Sequence, residues 1–143
     1  MRVTVDGDGF QSRIDPQDPE TIYACSTGGR RVNRSMNGGA DWTFTTLDAP
    51  SYCFDLAINP QVPSILYLAS NSSIGVLKSI DSGATFQPAG NGAAANMASI
   101  DIDWQAPATV YAGGENGAYK TTDGGSTWTQ VGGDIDGTLS VLR

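Results

Sequence analysis

The sequence contains no histidine, only two cysteines, and eight basic residues against fifteen acidic ones. Without imidazole there is no His-based triad, no proton shuttle titrating near neutrality and no His-liganded metal, so the familiar hydrolase and zinc mechanisms are closed. A net charge of −7 argues against the basic footprint that nucleic-acid binding requires. No apolar stretch is long enough to span a membrane, and residues 1–10 hold no apolar run of the kind a signal peptide carries. Cys25 and Cys53 make neither a metal-site spacing nor a disulfide framework. They read as small buried hydrophobes, with a single bridge or free thiols as the alternatives. Nothing in the sequence calls for a cofactor or a metal.

What is present is turn chemistry. Eighteen residues are Gly and seven are Pro, and thirteen of the fifteen acids are Asp, which favours turns and caps where Glu favours helix interiors. Carboxylate chemistry is the catalytic option left open.

The turns recur in register. Asp15, Asn59 and Asp103 stand 44 residues apart, as do Pro19, Pro63 and Pro107, and Tyr23, Tyr67 and Tyr111. Each Tyr is followed ten to twelve residues later by Ser35, Ser79 or Thr121, which opens a Gly-containing box ending on Trp42, Phe86 or Trp128. A period of 42 to 44 residues fits both a four-stranded propeller blade and a helical solenoid. The local chemistry favours strands: short β-branched and aromatic runs are bounded by Gly, Asn, Asp and Pro, and no helical apolar spacing is sustained. The expected fold is therefore all-β, with repeats at about 10–46, 52–90 and 96–131 and partial strands at 2–5 and 138–142, in one unit over 1–143. In each repeat the second strand carries the Tyr, the third ends at the Ser or Thr, and the fourth starts at the box aromatic.

The boxes Ser35-Met36-Asn37-Gly38-Gly39-Ala40-Asp41-Trp42, Ser79-Ile80-Asp81-Ser82-Gly83-Ala84-Thr85-Phe86 and Thr121-Thr122-Asp123-Gly124-Gly125-Ser126-Thr127-Trp128 resemble the Asp-box, S-x-D-x-G-x-T-W, of the bacterial neuraminidase (BNR) repeat family. That family includes sialidases, xyloglucanases, sortilin-type receptors and photosystem II assembly factors. The third copy matches throughout. The first has Asn37 for the Asp and Asp41 for the Thr, and the second ends on Phe86. The resemblance implies β-propeller blades in which the box is a hairpin connection: Asn37, Asp81 and Asp123 accept turn amides, Ser35, Ser79 and Thr121 tie down another, Gly39, Gly83 and Gly125 supply special backbone angles, and the aromatic packs between blades. Tyr23, Tyr67 and Tyr111, identically placed, read as inter-blade core.

In the sialidase-like members the substrate site lies on the face away from the boxes. Here that face would be built from loops 6–9, 26–31, 47–52, 70–73, 89–97, 113–117 and 132–137. Glycoside hydrolysis needs two carboxyls about 5 to 9.5 Å apart, and Asp8, Glu115, Asp134 and Asp136 are the catalytic candidates; the plain reading of each is a solvated loop residue. Arg30, Arg31, Tyr52, Asn71, Asn91 and Asn116 are the binding candidates. The resemblance also weakens two enzymatic readings. Sialidases hold their substrate with three arginines where this face offers Arg30 and Arg31, and the 26–29 loop carries no acid for a xyloglucanase. Arg31 and Arg34 should point to opposite faces of their strand, against a single anion pocket.

Three blades fall short of a closed ring, so the chain reads as a segment of a longer propeller or as half of a homodimeric six-bladed ring. The functional expectation is a non-catalytic scaffold for a carbohydrate or protein ligand, in a secreted or cell-surface setting that the resemblance and composition imply. The alternative is a segment of a secreted xyloglucanase-like or sialidase-like glycoside hydrolase.

Overall fold

A computed structural model describes residues 10–131 apart from 91, 93 and 94. Twelve strands form three four-stranded antiparallel sheets, and no helix occurs among the described residues. Blade 1 comprises β1 (Phe10–Asp15), β2 (Asp18–Ser26), β3 (Arg31–Ser35) and β4 (Thr43–Thr46). Blade 2 comprises β5 (Cys53–Ile58), β6 (Leu66–Ser70), β7 (Val76–Ser79) and β8 (Gln87–Pro88). Blade 3 comprises β9 (Met97–Ile102), β10 (Val110–Gly114), β11 (Gly117–Thr121) and β12 (Thr129–Gln130). Each blade is a meander in chain order, and the inner strands β1, β5 and β9 pack successively against one another. These are β-propeller blades. The third strands end at Ser35, Ser79 and Thr121, while the fourth begin one residue beyond the box aromatic. The strands expected over 2–5 and 138–142 lie outside the described residues.

Burial explains the sequence pattern of the second strands. Leu66 to Ser70 are all buried, because blade 2 has neighbours on both sides and so needs no polar alternation; Thr21 to Cys25 of blade 1 are buried as well. The outer strands β4, β8 and β12 are short and largely exposed. The core consequently divides by junction. Tyr23, Cys25, Val32, Leu47, Leu56 and Leu68 fill the space between blades 1 and 2; Tyr67, Ala89, Met97, Ile100, Val110 and Trp128 fill that between blades 2 and 3.

Two covalent or ionic ties cross the first junction. Cys25 of β2 and Cys53 of β5 form a disulfide across 28 residues, which corrects the reading of them as separate apolar residues, although both are fully buried. Asp55 of β5, 2% exposed, pairs with Arg13 of β1 at 2.7 Å. Its carboxylate also accepts the amides of Leu56 at 2.9 Å and, from β9, Ile100 at 3.0 Å. One buried carboxylate thereby joins the inner strands of all three blades.

Closing a 28-residue loop removes denatured-state entropy equivalent to about 3–4 kcal/mol. The double substitution Cys25→Ala/Cys53→Ala is expected to lower unfolding stability in urea by about 2–4 kcal/mol. A loss below about 0.5 kcal/mol would show that the bridge constrains nothing the packing does not already hold.

Candidate functional site

The boxes are closed hydrogen-bonding units. In blade 2 the Ser79 hydroxyl donates to Asp81 Oδ1 at 2.8 Å and accepts the Gly83 amide at 2.9 Å. The same carboxylate accepts the Thr85 amide at 2.9 Å and the Thr85 hydroxyl at 2.6 Å. Blade 3 repeats this with Thr121, Asp123, Gly125 and Thr127 at 2.7, 3.0, 3.0 and 2.6 Å. Blade 1 departs from the motif at two positions that compensate one another. Asn37 Oδ1 accepts the Asp41 amide at 2.8 Å, and Asn37 Nδ2 donates to Asp41 Oδ2 at 2.8 Å. The side-chain bond survives with donor and acceptor exchanged, a coupling invisible when the two substitutions are read separately. Ser35 binds Asn37 and Gly39 as its counterparts do.

This geometry fixes the electrostatics. The Thr85 hydroxyl, followed by its amide and the Ser79 hydroxyl, holds the exposed Asp81 carboxyl down at about 2. The hydroxyls of Thr127 and Thr121, then the Thr127 amide, do the same for Asp123. Both are ionised at neutral pH and accept short bonds, the opposite of a general acid.

The fourth box residue links blades. Ser82 O accepts Tyr23 Oη at 3.3 Å and Arg34 Nη1 at 3.0 Å from blade 1. Gly124 O accepts Tyr67 Oη at 3.0 Å and Lys78 Nζ at 2.7 Å from blade 2. Burial, with the Asp123 charge adding to it, pushes the Tyr67 hydroxyl up to about 12, so it remains a donor. The fifth residue is Gly for its backbone: Gly39, Gly83 and Gly125 have φ of 97°, 80° and 94°, and at Gly83 a Cβ would also press on the Tyr23 ring at 3.3 Å. Trp128 packs back on blade 2, its indole donating to Ala89 O at 2.8 Å.

The repeat-equivalent groups at the two ends differ. Trp42 and Tyr111 are each 36% exposed, whereas Trp128, Tyr23 and Tyr67 are 6%, 2% and 1% exposed. The inter-blade reading of all three tyrosines thus holds for two; Tyr111 has no described blade beyond it.

The three second-to-third-strand hairpins and the inter-blade connections lie opposite the boxes. On this side Asn96 Nδ2 donates to Glu115 Oε1 at 2.7 Å, and Gln130 Nε2 donates to Asn116 O at 2.9 Å. Tyr52 is 40% exposed and Asn71 is exposed. Arg30 donates to Leu47 O at 2.9 Å, while Arg31 lies 4.1 Å over the Phe44 ring and Arg34 turns to blade 2. The arginines diverge. A 350 Å³ cleft between blades 1 and 2, lined among others by Leu47, Ser51, Ile74 and Phe86, presents one acid, Asp48. A 490 Å³ concavity beside Arg30, Arg31 and Asn33 presents none. No group of acids or thiols suited to holding a metal occurs among the described residues. Asp8, Asn91, Asp134 and Asp136 lie outside the described residues. The residue pair that sequence reasoning missed is Arg13–Asp55: its repeat equivalents of Asp55 are Gln11 and Ser99, so no column marks it.

No family model and no curated protein sequence matches the chain. Solved structures do. The chain resembles the GH74 enzyme of Niastella koreensis with a TM-score of 0.73 and 24% identity, over 87% of this chain and 22% of that one. It resembles the GH74 xyloglucanase of Xanthomonas campestris with a TM-score of 0.71 and 22% identity, over 90% and 24%. YCF48 bound to D1 peptide gives a TM-score of 0.64 and 12% identity, over 84% and 39%. The chain spans under a quarter of the length of the GH74 enzymes, and at these identities the likeness shows the fold.

Because the folded carboxyls titrate near 2, the stability contributed by Asp81 and Asp123 is present above their unfolded value of about 3.9 and is lost as pH falls through the folded value. Carboxyl-resolved NMR is expected to place both midpoints near 2, with urea stability declining over the same window. Midpoints near 4 would mean that the box bonds are not formed.

Proposed function

We propose that the chain is a propeller segment of the BNR/Asp-box repeat type, one unit over residues 1–143, acting as a rigid non-catalytic scaffold for a carbohydrate or protein ligand. The observation that carries this reading is the employment of its acids. Asp81 and Asp123 close turns, Asp55 joins inner strands, and Glu115 is held by Asn96. The clefts beside Leu47 and beside Arg30 offer one acid and none, where glycoside hydrolysis needs two flanking carboxyls. The ligand surface is the side opposite the boxes, where Tyr52 supplies an exposed ring and Asn71, Asn116 and Arg30 supply hydrogen-bonding groups, the combination that suits a polar ligand with an apolar face. YCF48, a structural neighbour, has been captured with a peptide, which supports a protein ligand as readily as a sugar. A buried disulfide supports an oxidising, secreted or cell-surface setting. No helix among the described residues is long and apolar enough to cross a membrane.

The second reading, a segment of a secreted glycoside hydrolase, is favoured by the GH74 likeness, in which most of this chain matches a fraction of a longer enzyme. A glycan array and a pull-down, run beside hydrolysis assays on xyloglucan and sialyl substrates, separate the two. The expected outcome is saturable binding without turnover, weakened about tenfold by Tyr52→Ala. Turnover that disappears with Glu115→Gln would establish the enzyme instead.

A further inference from the structure

The two internal junctions define a rule, and the two ends of the array carry its unmatched halves. At each junction a second-strand Tyr and a third-strand cation donate together to the carbonyl of the fourth box residue of the next blade: Tyr23 and Arg34 to Ser82, Tyr67 and Lys78 to Gly124. Blade 3 has the same donor pair ready. Lys120 Nζ lies 5.5 Å from the centre of the Tyr111 ring, as Lys78 lies 5.4 Å from that of Tyr67. Among the described residues neither Tyr111 nor Lys120 meets a carbonyl acceptor. Blade 1 has the matching acceptor in Gly38, fourth in its box, whose carbonyl takes no donor among the described residues.

Charge and shape also match. A Cβ on Gly124 would stand 3.4 Å from Lys78 Nζ and 3.6 Å from Tyr67 Oη, so the donors of the preceding blade occupy that point. The same point on Gly38 is 2.6 Å from Glu20 Oε2. The repeat equivalents of Glu20 are Ser64 and Ala108, so the open acceptor end alone offers an anion where an incoming lysine would arrive. Trp42, 36% exposed, takes the place of the buried Trp128, and Val131, 52% exposed, continues the fourth-strand position held by Ala89. Trp42 meanwhile donates to its own box at Gly39 O, at 3.0 Å, where Trp128 reaches across to Ala89.

We propose that the occupant of each open end is a second copy of this chain, joined head to tail. In this assembly Tyr111 and Lys120 of one copy donate to Gly38 O of the other, and Lys120 pairs with Glu20. The three described blades of two copies then make two identical junctions and close a ring of six, so each surface finds its complement in the other end of its twin. The proposal concerns the ends of the blade array and stands whether or not the face opposite the boxes binds a ligand.

Sedimentation velocity on the full chain tests it. The expected result is a concentration-dependent dimer without larger species. Lys120→Glu and Glu20→Lys each place like charges at both junctions and are expected to raise the dimer dissociation constant at least about tenfold, while Glu20→Lys/Lys120→Glu returns it to within about threefold of wild type. Recovery in the double variant shows that the loss came from the charge pair and that these two residues face each other. A monomer at every concentration, an open-ended series of oligomers, or a double variant no better than either single one would overturn the proposal.

Discussion

The structure depends on one backbone carbonyl at each of its two described blade junctions. In boxes two and three the fourth residue directs its C=O at the preceding blade, where a buried Tyr hydroxyl and a cationic side chain meet it. The residues of the box serve that contact. The Ser or Thr and the Asp or Asn hold the turn in shape, Gly83 makes room for the Tyr23 ring, and in blade 3 Trp128 packs back over the same junction. A buried donor without an acceptor is costly, so the buried hydroxyls of Tyr23 and Tyr67 depend on the carbonyl that the next blade brings to them.

The period, the boxes and the Tyr column were legible in the sequence because the same junction is built repeatedly, and repetition turns a three-dimensional contact into a column of residues. What happens once was not. Cys25 and Cys53 sit in non-equivalent strands, β2 and β5, so the bridge breaks the repeat and leaves no periodic trace. Asp55 reads as one more acid in an acidic chain, yet it is nearly inaccessible and binds β1 and β9 at once. Asn37 and Asp41 read as two defects in a motif and are one exchanged hydrogen bond. The exposure of Trp42 and Tyr111 follows from place in the array, which residue identity does not encode. For the candidate site, the sequence located the loops opposite the boxes, but only geometry reveals that Glu115 is tied to Asn96 and that Arg31 and Arg34 go separate ways.

The chain has no histidine, and Asp81, Asp123, Asp55 and Glu115 are engaged in holding turns, strands and loops in place. Ionised turn acceptors and a paired buried Asp make a stiff frame, and a stiff frame lowers the ordering cost of presenting loop side chains to a ligand. Propellers host unrelated functions on one architecture, so the proposed scaffold role rests on the side chains opposite the boxes and not on the fold.

The central claim is that the junctions make three blades one cooperative body. Residue-resolved hydrogen exchange under native conditions tests it most directly, through amides held by side chains in different blades: Gly83 by Ser79, Ile100 by Asp55 and Gly125 by Thr121. The account predicts that all three exchange through a shared opening, with free energies matching one another and that of global unfolding. If Ile100 and Gly125 opened more than about 2 kcal/mol more easily than Gly83, blade 3 would be unfolding by itself and the account would be contradicted.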